Sequence, residues 1–204
     1  VPMSPTSLAR TRIARTDDGW FVVHGERLTR IGTAATTTAA LLADRDAIAA
    51  AVATPDLDGP MLAGGTLRSP VTMPARVVAQ MVNYRSHAID SGFDPDAVLP
   101  TFFRKSSSSV SGPHDPIVRP AHVALLDYEI ELGLVLGAPL PIGAGVTPST
   151  LADYVAALVV CNDVSARDVQ LPQGQFYEGK SYPGFTPVGP WLVLVGPDEL
   201  SALD

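Results

Sequence analysis

The sequence predicts an α+β fold that is mainly β. Short runs of β-branched and aromatic residues alternate with Pro- and Gly-containing turns from residue 77 onward, whereas helical composition dominates only an Ala- and Leu-rich segment near residues 36–53. Between residues 54 and 75 Pro and Gly recur often enough to indicate a linker. We therefore predict a small α/β N-terminal domain over residues 1–75 and a β-rich domain over residues 76–204.

The individual elements follow from local patterns. Residues 20–28 predict a β-hairpin around Gly25, and residues 36–53 predict one or two short helices with Asp44 and Asp46 as candidate caps. A further helix is predicted from Pro148 to about Ala156, with Thr147 as its N-cap. The strands predicted in the second domain cover residues 77–82, 117–119, 126–136, 157–164 and 191–195.

Composition excludes several classes of function. The apolar runs are far shorter than the roughly 18–20 residues that span a bilayer, and no apolar stretch follows Arg10, Arg12 and Arg15 as in a secretory signal. We expect a cytoplasmic protein that does not bind membranes. A single cysteine, Cys161, rules out an intramolecular disulfide and a Cys-rich zinc site. The net charge of −7 argues against nucleic acid, which leaves a small molecule as the expected ligand.

An acidic strand pattern carries the first indication of chemistry. In the segment Asp127 to Leu136 the carboxylates occupy odd positions, so Glu129 and Glu131 would share one strand face and converge on a hard cation. The alternative is an ordinary solvated acidic face. The opposite face is apolar and is predicted to point into the core; it comprises Tyr128, Ile130, Leu132 and Leu134.

Polar residues at the end of the next apolar run add a third carboxylate. Asp163 follows the run 157–161 directly and is a candidate ligand, although a turn or cap is the commoner role for such a residue. Three carboxylates suit Mg²⁺ or Mn²⁺, with Ca²⁺ as a further possibility, better than zinc.

Two further groups are candidate catalytic residues. His87 and Asp90 are three residues apart and would share a helical face, where the carboxylate can fix the imidazole tautomer for general-base work. Lys180 lies among glycine, proline and aromatic residues and could neutralise a developing enolate. The alternative for each is an ordinary surface position.

Six motifs in order give a resemblance to a known family. They are Asn-Tyr-x-x-His from Asn83, Phe-x-Lys from Phe103, Asp-Tyr-Glu-x-Glu-Leu from Asp127, Asn-Asp-x-Ser-Ala-Arg-Asp-x-Gln from Asn162, Gly-Lys-Ser from Gly179 and Pro-x-Gly-Pro-Trp from Pro187. Together they resemble the fumarylacetoacetate hydrolase family.

The resemblance implies a fold and a site. The fold would be a mixed β-roll after a small N-terminal domain, usually in a homodimer. The activity would be a metal-dependent hydrolysis of a carbon–carbon bond in an acylpyruvate- or fumarylpyruvate-type 2-oxo acid, as in the catabolism of aromatic compounds. The implied metal ligands are Glu129, Glu131 and Asp163; the catalytic residues are His87, Asp90 and Lys180; the substrate contacts are Arg85, Arg167 and Gln170.

The sequence departs from the family pattern in three ways. The catalytic His is commonly followed by Glu in His-x-x-Glu, where Asp90 stands here, and an additional Asp ligand of the eukaryotic hydrolase has no counterpart in residues 79–81. The family pattern also predicts further strands after Asp204, with a Thr-Gly-Thr-Pro segment that helps to bind substrate. Two alternatives remain open: a decarboxylase or isomerase of a related 2-oxo or 2-hydroxydienoic acid, and a non-catalytic ligand-binding relative.

Overall fold

A computed structural model describes residues 8–97 and 99–201 of the chain. The strands are Arg12–Thr16 (β1), Gly19–His24 (β2), Arg27–Arg30 (β3), Val77–Gln80 (β4), Phe102–Lys105 (β5), Val110–Ser111 (β6), Leu126–Asp127 (β7), Ile130–Leu136 (β8), Val155–Asn162 (β9), Ser165–Ala166 (β10), Thr186–Pro187 (β11) and Trp191–Leu194 (β12). The α-helices are Thr38–Ala43 (α1), Arg45–Ala53 (α2), Arg85–Asp90 (α3), Arg167–Gln173 (α4) and Pro197–Ser201 (α5). Single 3-10 turns lie at Gly64–Thr66, Ser107–Ser109 and Leu151–Asp153. The protein is mixed α/β and mainly β, as predicted.

One sheet crosses the predicted domain boundary. Its six strands lie in the order β3-β2-β1-β12-β9-β8, so the N-terminal hairpin is hydrogen-bonded through β1 to strand β12 of the predicted second domain. Helices α1 and α2 pack against this sheet in the largest apolar cluster, which joins Leu41 and Ile48 to Val159 and Leu192. The division at residue 75 stays a prediction, but the hydrophobic core is continuous across it.

The N-terminal elements confirm the sequence reasoning. Strands β2 and β3 pair antiparallel with His24 opposite Arg27, which is the predicted hairpin. Its turn contains Gly25 at a φ of 58°, a left-handed value that glycine adopts without a Cβ clash. Asp44 caps α2 by accepting a hydrogen bond from the Ala47 amide, so one of its two candidate caps was correctly assigned.

Two elements of the second domain were predicted wrongly. The segment from Pro148 forms only the 3-10 turn Leu151–Asp153, because the chain must already be extended at Val155 to pair with β8. Residues 117–119 form no strand. No helix in the described ranges is long and apolar enough to cross a membrane.

The apolar face of β8 is also oriented differently from the prediction. The side chains of Ile130, Leu132, Leu134 and Leu136 are exposed, whereas Glu131, Gly133 and Val135 lie on the partly covered face. Alternation along the strand was therefore right, but the face that we assigned to the core is the outer one. The acidic face lies inward because it borders the buried polar cluster described below.

Candidate active site

The candidate site lies at the end of β9, beside the two-residue interruption between strands β7 and β8. The Glu129 amide donates to Asn162 Oδ1 at 3.2 Å, and the Asp163 amide donates to the Glu129 carbonyl at 2.8 Å. Glu129 itself lies in the interruption between the two strands, not in a continuous strand as predicted. These two hydrogen bonds bring the Glu129 and Asp163 side chains together.

Lys180 joins the two carboxylates. Its Nζ donates to Glu129 Oε2 and to Asp163 Oδ2, each at 2.7 Å, and only 3% of its side chain is exposed. The ammonium also lies 5.1 Å from the centroid of the Phe103 ring, a cation–π distance. Lys180 is thus a buried, fully partnered cation, and the alternative of a solvated surface lysine is excluded.

Sequence reasoning missed a second buried lysine. Lys105 donates from Nζ to Asp163 Oδ1 and, at 2.7 Å, to the carbonyl of Phe185, with 1% of its side chain exposed. Burial lowers the pKa of Lys105, and the charge of Asp163 opposes that shift. The Phe-x-Lys motif was the available signal, since it appeared among the six motifs without a role being given to its lysine.

An arginine forms an ion pair with the second carboxylate oxygen of Glu129. Arg167, the first residue of α4, donates from Nε and Nη2 to Asp127 Oδ2 at 3.0 and 2.8 Å, and its Nη2 lies 2.7 Å from Glu129 Oε1. The hydrogen bonds from Arg167 hold the pKa of Asp127 below its usual value. Gln170, one helical turn on, accepts from Arg167 Nη1 at 3.0 Å. Two of the three predicted substrate contacts, Arg167 and Gln170, therefore lie beside the cluster and are hydrogen-bonded to each other.

Glu131 borders the same cluster without a hydrogen bond to it among the described residues. Burial raises the pKa of Glu131, and the negative charges of Glu129 and Asp163 raise it further, while the charges of Lys180 and His87 lower it. The charges of Glu129 and Asp163 therefore act on Glu131, which places it beside the cluster.

The helix that carries His87 lies at the surface. His87 and Asp90 are both exposed on α3, and the structure shows no hydrogen bond or ion pair between them in the ranges that it describes. Arg85, the proposed substrate contact on this helix, forms a two-pronged pair with Asp96, with N–O distances of 2.8 and 3.1 Å. Arg85 thus ties α3 to the following loop and does not contact the lysine–carboxylate cluster.

Oxygen donors at the site are suited to a divalent cation. Glu129, Glu131 and Asp163 offer hard oxygen ligands, and a cation would offset the burial and the neighbouring negative charges that together raise the pKa of Glu131. In residues 8–97 and 99–201, however, no three His, Cys, Asp or Glu side chains already have the spacing of a metal site. Lys180 lies between two of the three donors. The donor set fits Mg²⁺ or Mn²⁺ in chemistry, provided that the Lys180 ammonium moves.

A close backbone contact sets the position of Lys180. A Cβ placed on Gly179 would lie 2.8 Å from the amide nitrogen of Gln170 and 3.0 Å from its Cα, and the Gly179 carbonyl accepts a hydrogen bond from Ala166 at 2.7 Å. Only glycine allows the Lys180 segment to approach α4 this closely. The lysine and the Arg167–Gln170 pair are therefore positioned by one contact.

Comparison with known proteins places this site in a family. The model of the fumarylacetoacetate hydrolase C-terminal domain matches residues 76–204, well over half of the chain. The chain belongs to the fumarylacetoacetate hydrolase family. That membership covers every residue of the cluster described above, and it confirms the resemblance drawn from the six motifs.

The relatives of this chain are named for different activities. A 2,4-didehydro-3-deoxy-L-rhamnonate hydrolase from Sphingomonas sp. (strain SKA58) is 40% identical over 132 residues, which are 64% of this chain and 44% of the relative. The crystal structure of a fumarylacetoacetate hydrolase from psychrophilic Exiguobacterium antarcticum has a TM-score of 0.66 at 28% identity, covering 92% of this chain and 67% of that one. A 2-hydroxyhepta-2,4-diene-1,7-dioate isomerase from Mycobacterium marinum has a TM-score of 0.64 at 26% identity, covering 90% and 66%.

Coverage of the relatives is partial. The chain spans between 39% and 55% of the length of the curated relatives that head the comparison. Family and fold are established for the residues present, and the activity of the whole protein is a matter for proposal.

Proposed function

We propose that the protein is a divalent-metal-dependent hydrolase that cleaves a carbon–carbon bond in an acylpyruvate- or fumarylpyruvate-type 2-oxo acid. The observation that supports this most strongly is the buried cluster in which Lys180 bridges Glu129 and Asp163 beside Arg167. A charged cluster of this kind is costly to bury and suits a function that needs fixed charges in a pocket. A non-catalytic ligand-binding relative would have little need of it.

In this proposal the acidic residues bind the metal, and the basic residues stabilise and orient the substrate. Glu129, Glu131 and Asp163 would hold Mg²⁺ or Mn²⁺, which supplies Lewis acidity toward the 2-oxo group when bound. The Lys180 ammonium stabilises the negative charge that develops on the 2-oxo oxygen as the bond breaks. Arg167 and Gln170 bind and orient the substrate carboxylate, and Arg85 binds the substrate from the surface helix as that helix closes.

Water activation is assigned to His87. The imidazole takes a proton from water as the oxygen attacks the distal carbonyl, and Asp90 would have to reach the ring in the substrate complex to orient it. The bond between that carbonyl carbon and the neighbouring methylene then breaks. One product is a carboxylic acid, and the electron pair left on the methylene carbon of the other is protonated to give pyruvate or its homologue.

A second candidate needs no water. The missing contact between His87 and Asp90 in the described residues favours it, because water activation depends most on an oriented imidazole. Isomerisation of a 2-hydroxydienoate or decarboxylation of an oxaloacetate-like acid would use Lys180 and the three carboxylates in the same way. The similarity in fold to the structure named as an isomerase from Mycobacterium marinum supports this candidate.

Substrate turnover separates the candidates. Full-length protein is assayed with acetylpyruvate and with oxaloacetate, each with Mg²⁺, Mn²⁺ or EDTA. Metal-dependent loss of the diketone absorbance supports the hydrolase, and turnover of oxaloacetate alone supports the second candidate. Lys180→Met is expected to abolish either activity, with Arg104→Met as the matched control because Arg104 is an exposed cation on neighbouring β5. Full activity of Lys180→Met would contradict both proposals.

We also propose that two copies of the chain associate. The exposed side chains of Ile130, Leu132 and Leu134 form an apolar surface on β8, and contiguous apolar surface of this kind marks association sites. Light scattering coupled to gel filtration should give the mass of a homodimer for the full-length protein and a lower mass for Leu134→Lys. A monomer in both would contradict the proposal.

A further inference from the structure

We propose that Lys105 is a positioning residue that fixes the Asp163 carboxylate in the orientation the active site uses. The inference rests on the proposed function, because it assigns Asp163 a role as ligand. Lys105 binds Asp163 Oδ1, and Lys180 binds Asp163 Oδ2. The two oxygens of one carboxylate are thus held by different lysines, and the lysine on Oδ2 also binds Glu129 Oε2.

The composition of the chain makes this arrangement specific. Lys105 and Lys180 are its only lysines; all other basic side chains except histidine are arginines. Lysine is among the residues least often buried, yet both lysines here are buried and both contact Asp163. A long, strongly hydrated side chain is placed in the interior only where its charge has a partner.

Lys105 is anchored independently of the carboxylate. Its ammonium also donates to the Phe185 carbonyl, and Phe185 is completely buried in a cluster with Val123 and Val164. The Lys105 side chain leaves β5, whose pairing with β4 sets Lys105 opposite Val77. Strand β5 fixes the backbone of Lys105, and the Phe185 carbonyl fixes its ammonium. Lys105 can therefore hold Asp163 Oδ1 in place when Lys180 moves away from Asp163 Oδ2.

Lys105 itself is not placed to meet substrate. Its side chain is 1% exposed, and its two hydrogen bonds go to protein atoms. It acts through Asp163, in the way that residues behind a metal ligand orient that ligand and alter affinity by roughly 10- to 100-fold. Removal of Lys105 would let the Asp163 carboxylate rotate and leave the ligand set disordered.

The test compares Lys105→Met with Ser109→Ala in the full-length protein. Ser109 is completely buried and its hydroxyl bonds Thr186, the neighbour of Phe185, so its loss disturbs the same layer without removing a bond to Asp163. Mn²⁺ affinity is measured by electron paramagnetic resonance. Lys105→Met is expected to weaken it about 10- to 100-fold, and Ser109→Ala is expected to leave it unchanged. Equal affinities for wild type and Lys105→Met would overturn the proposal.

A second readout does not depend on metal. In ¹³Cε-lysine spectra the resonance of Lys180 is identified by its loss in Lys180→Met, and it is then followed in Lys105→Met and in Ser109→Ala. We expect this resonance to move in Lys105→Met and to stay in place in Ser109→Ala, because Lys180 loses its fixed partner Oδ2. An unmoved Lys180 resonance would overturn the role of Lys105 even if no metal binds. Absence of Mn²⁺ binding by wild type would instead contradict the proposed function. Should Lys105→Met fail to fold, Lys105→Gln replaces it in both measurements, with the same expectations.

Discussion

Gly179→Ala should damage both the stability and the activity of the protein through one contact. The added methyl group would lie 2.8 Å from the amide nitrogen of Gln170 and 2.9 Å from its Cβ, distances at which backbone must move. Overpacking of this kind costs about 1–3 kcal/mol. For a chain of this size each kcal/mol lowers Tm by roughly 2–4 °C.

The displaced backbone belongs to the active site. Gln170 accepts a hydrogen bond from Arg167, and Gly179 precedes Lys180, so a shift between the two segments separates the lysine from the arginine. The rate of substrate turnover by Gly179→Ala should therefore fall further than its lower free energy of unfolding alone explains. The free energy of unfolding is measured by urea titration with tryptophan fluorescence, and turnover is measured at a temperature where both proteins are folded.

Gly145→Ala is the matched control. A Cβ at Gly145 meets no atom within 4 Å, so the free energy of unfolding should stay within about 0.5 kcal/mol of wild type. If Gly179→Ala has the urea midpoint and turnover of Gly145→Ala, the close approach to α4 does not position Lys180, and our account of the site's geometry is wrong.

Two further predictions concern α4. The Ala124 amide bonds Asp168, and this bond is the main cause that lowers the pKa of Asp168 from its ordinary 3.8, with the Leu125 amide adding to it. A carboxylate whose pKa is lowered in the folded state stabilises the fold above its ordinary pKa of about 3.8, and this stabilisation is lost as the pH falls through the lowered value. The urea midpoints at pH 6 and pH 3 should therefore differ less for Asp168→Asn than for wild type. An equal difference in the two proteins would contradict this prediction. Arg167→Lys cannot reproduce the paired bonds to Asp127 and should lower kcat/KM by about 10- to 100-fold, whereas unchanged kcat/KM would show that the guanidinium geometry is dispensable.

Local patterns predicted what local physics determines. The Trp20 to Leu28 hairpin was predicted because a glycine turn and flanking β-formers act within a few residues. The helix predicted from Pro148 was wrong because a long-range requirement, the pairing of Val155 with Leu136, outweighed a favourable N-terminus. Propensity cannot show which distant strand a segment will meet.

Local patterns also predicted only part of the candidate site. Alternation correctly set Glu131 apart from the leucines of β8, but it could not say which face is inside, since that depends on what the rest of the fold packs there. Lys180 and Asp163, which the family motifs singled out, lie in one buried cluster, and their catalytic and ligand roles stay predictions. The Phe-x-Lys motif included Lys105, but the role of this lysine was missed because its partner, Asp163, lies 58 positions later in the chain.

The exposed face of β8 has a consequence for handling the protein. β8 is the end strand of its sheet in the described part of the chain, and Glu131 carries the only charge in the segment Ile130–Leu136. An end strand rich in leucine can pair with a copy of itself, and a single charge is what natural sequences use to discourage such aggregation. Neutral substitutions at Glu131 are therefore expected to raise turbidity at high protein concentration. A rise in turbidity would give the residue that we propose as a ligand a second role, in limiting the pairing of β8 with a copy of itself.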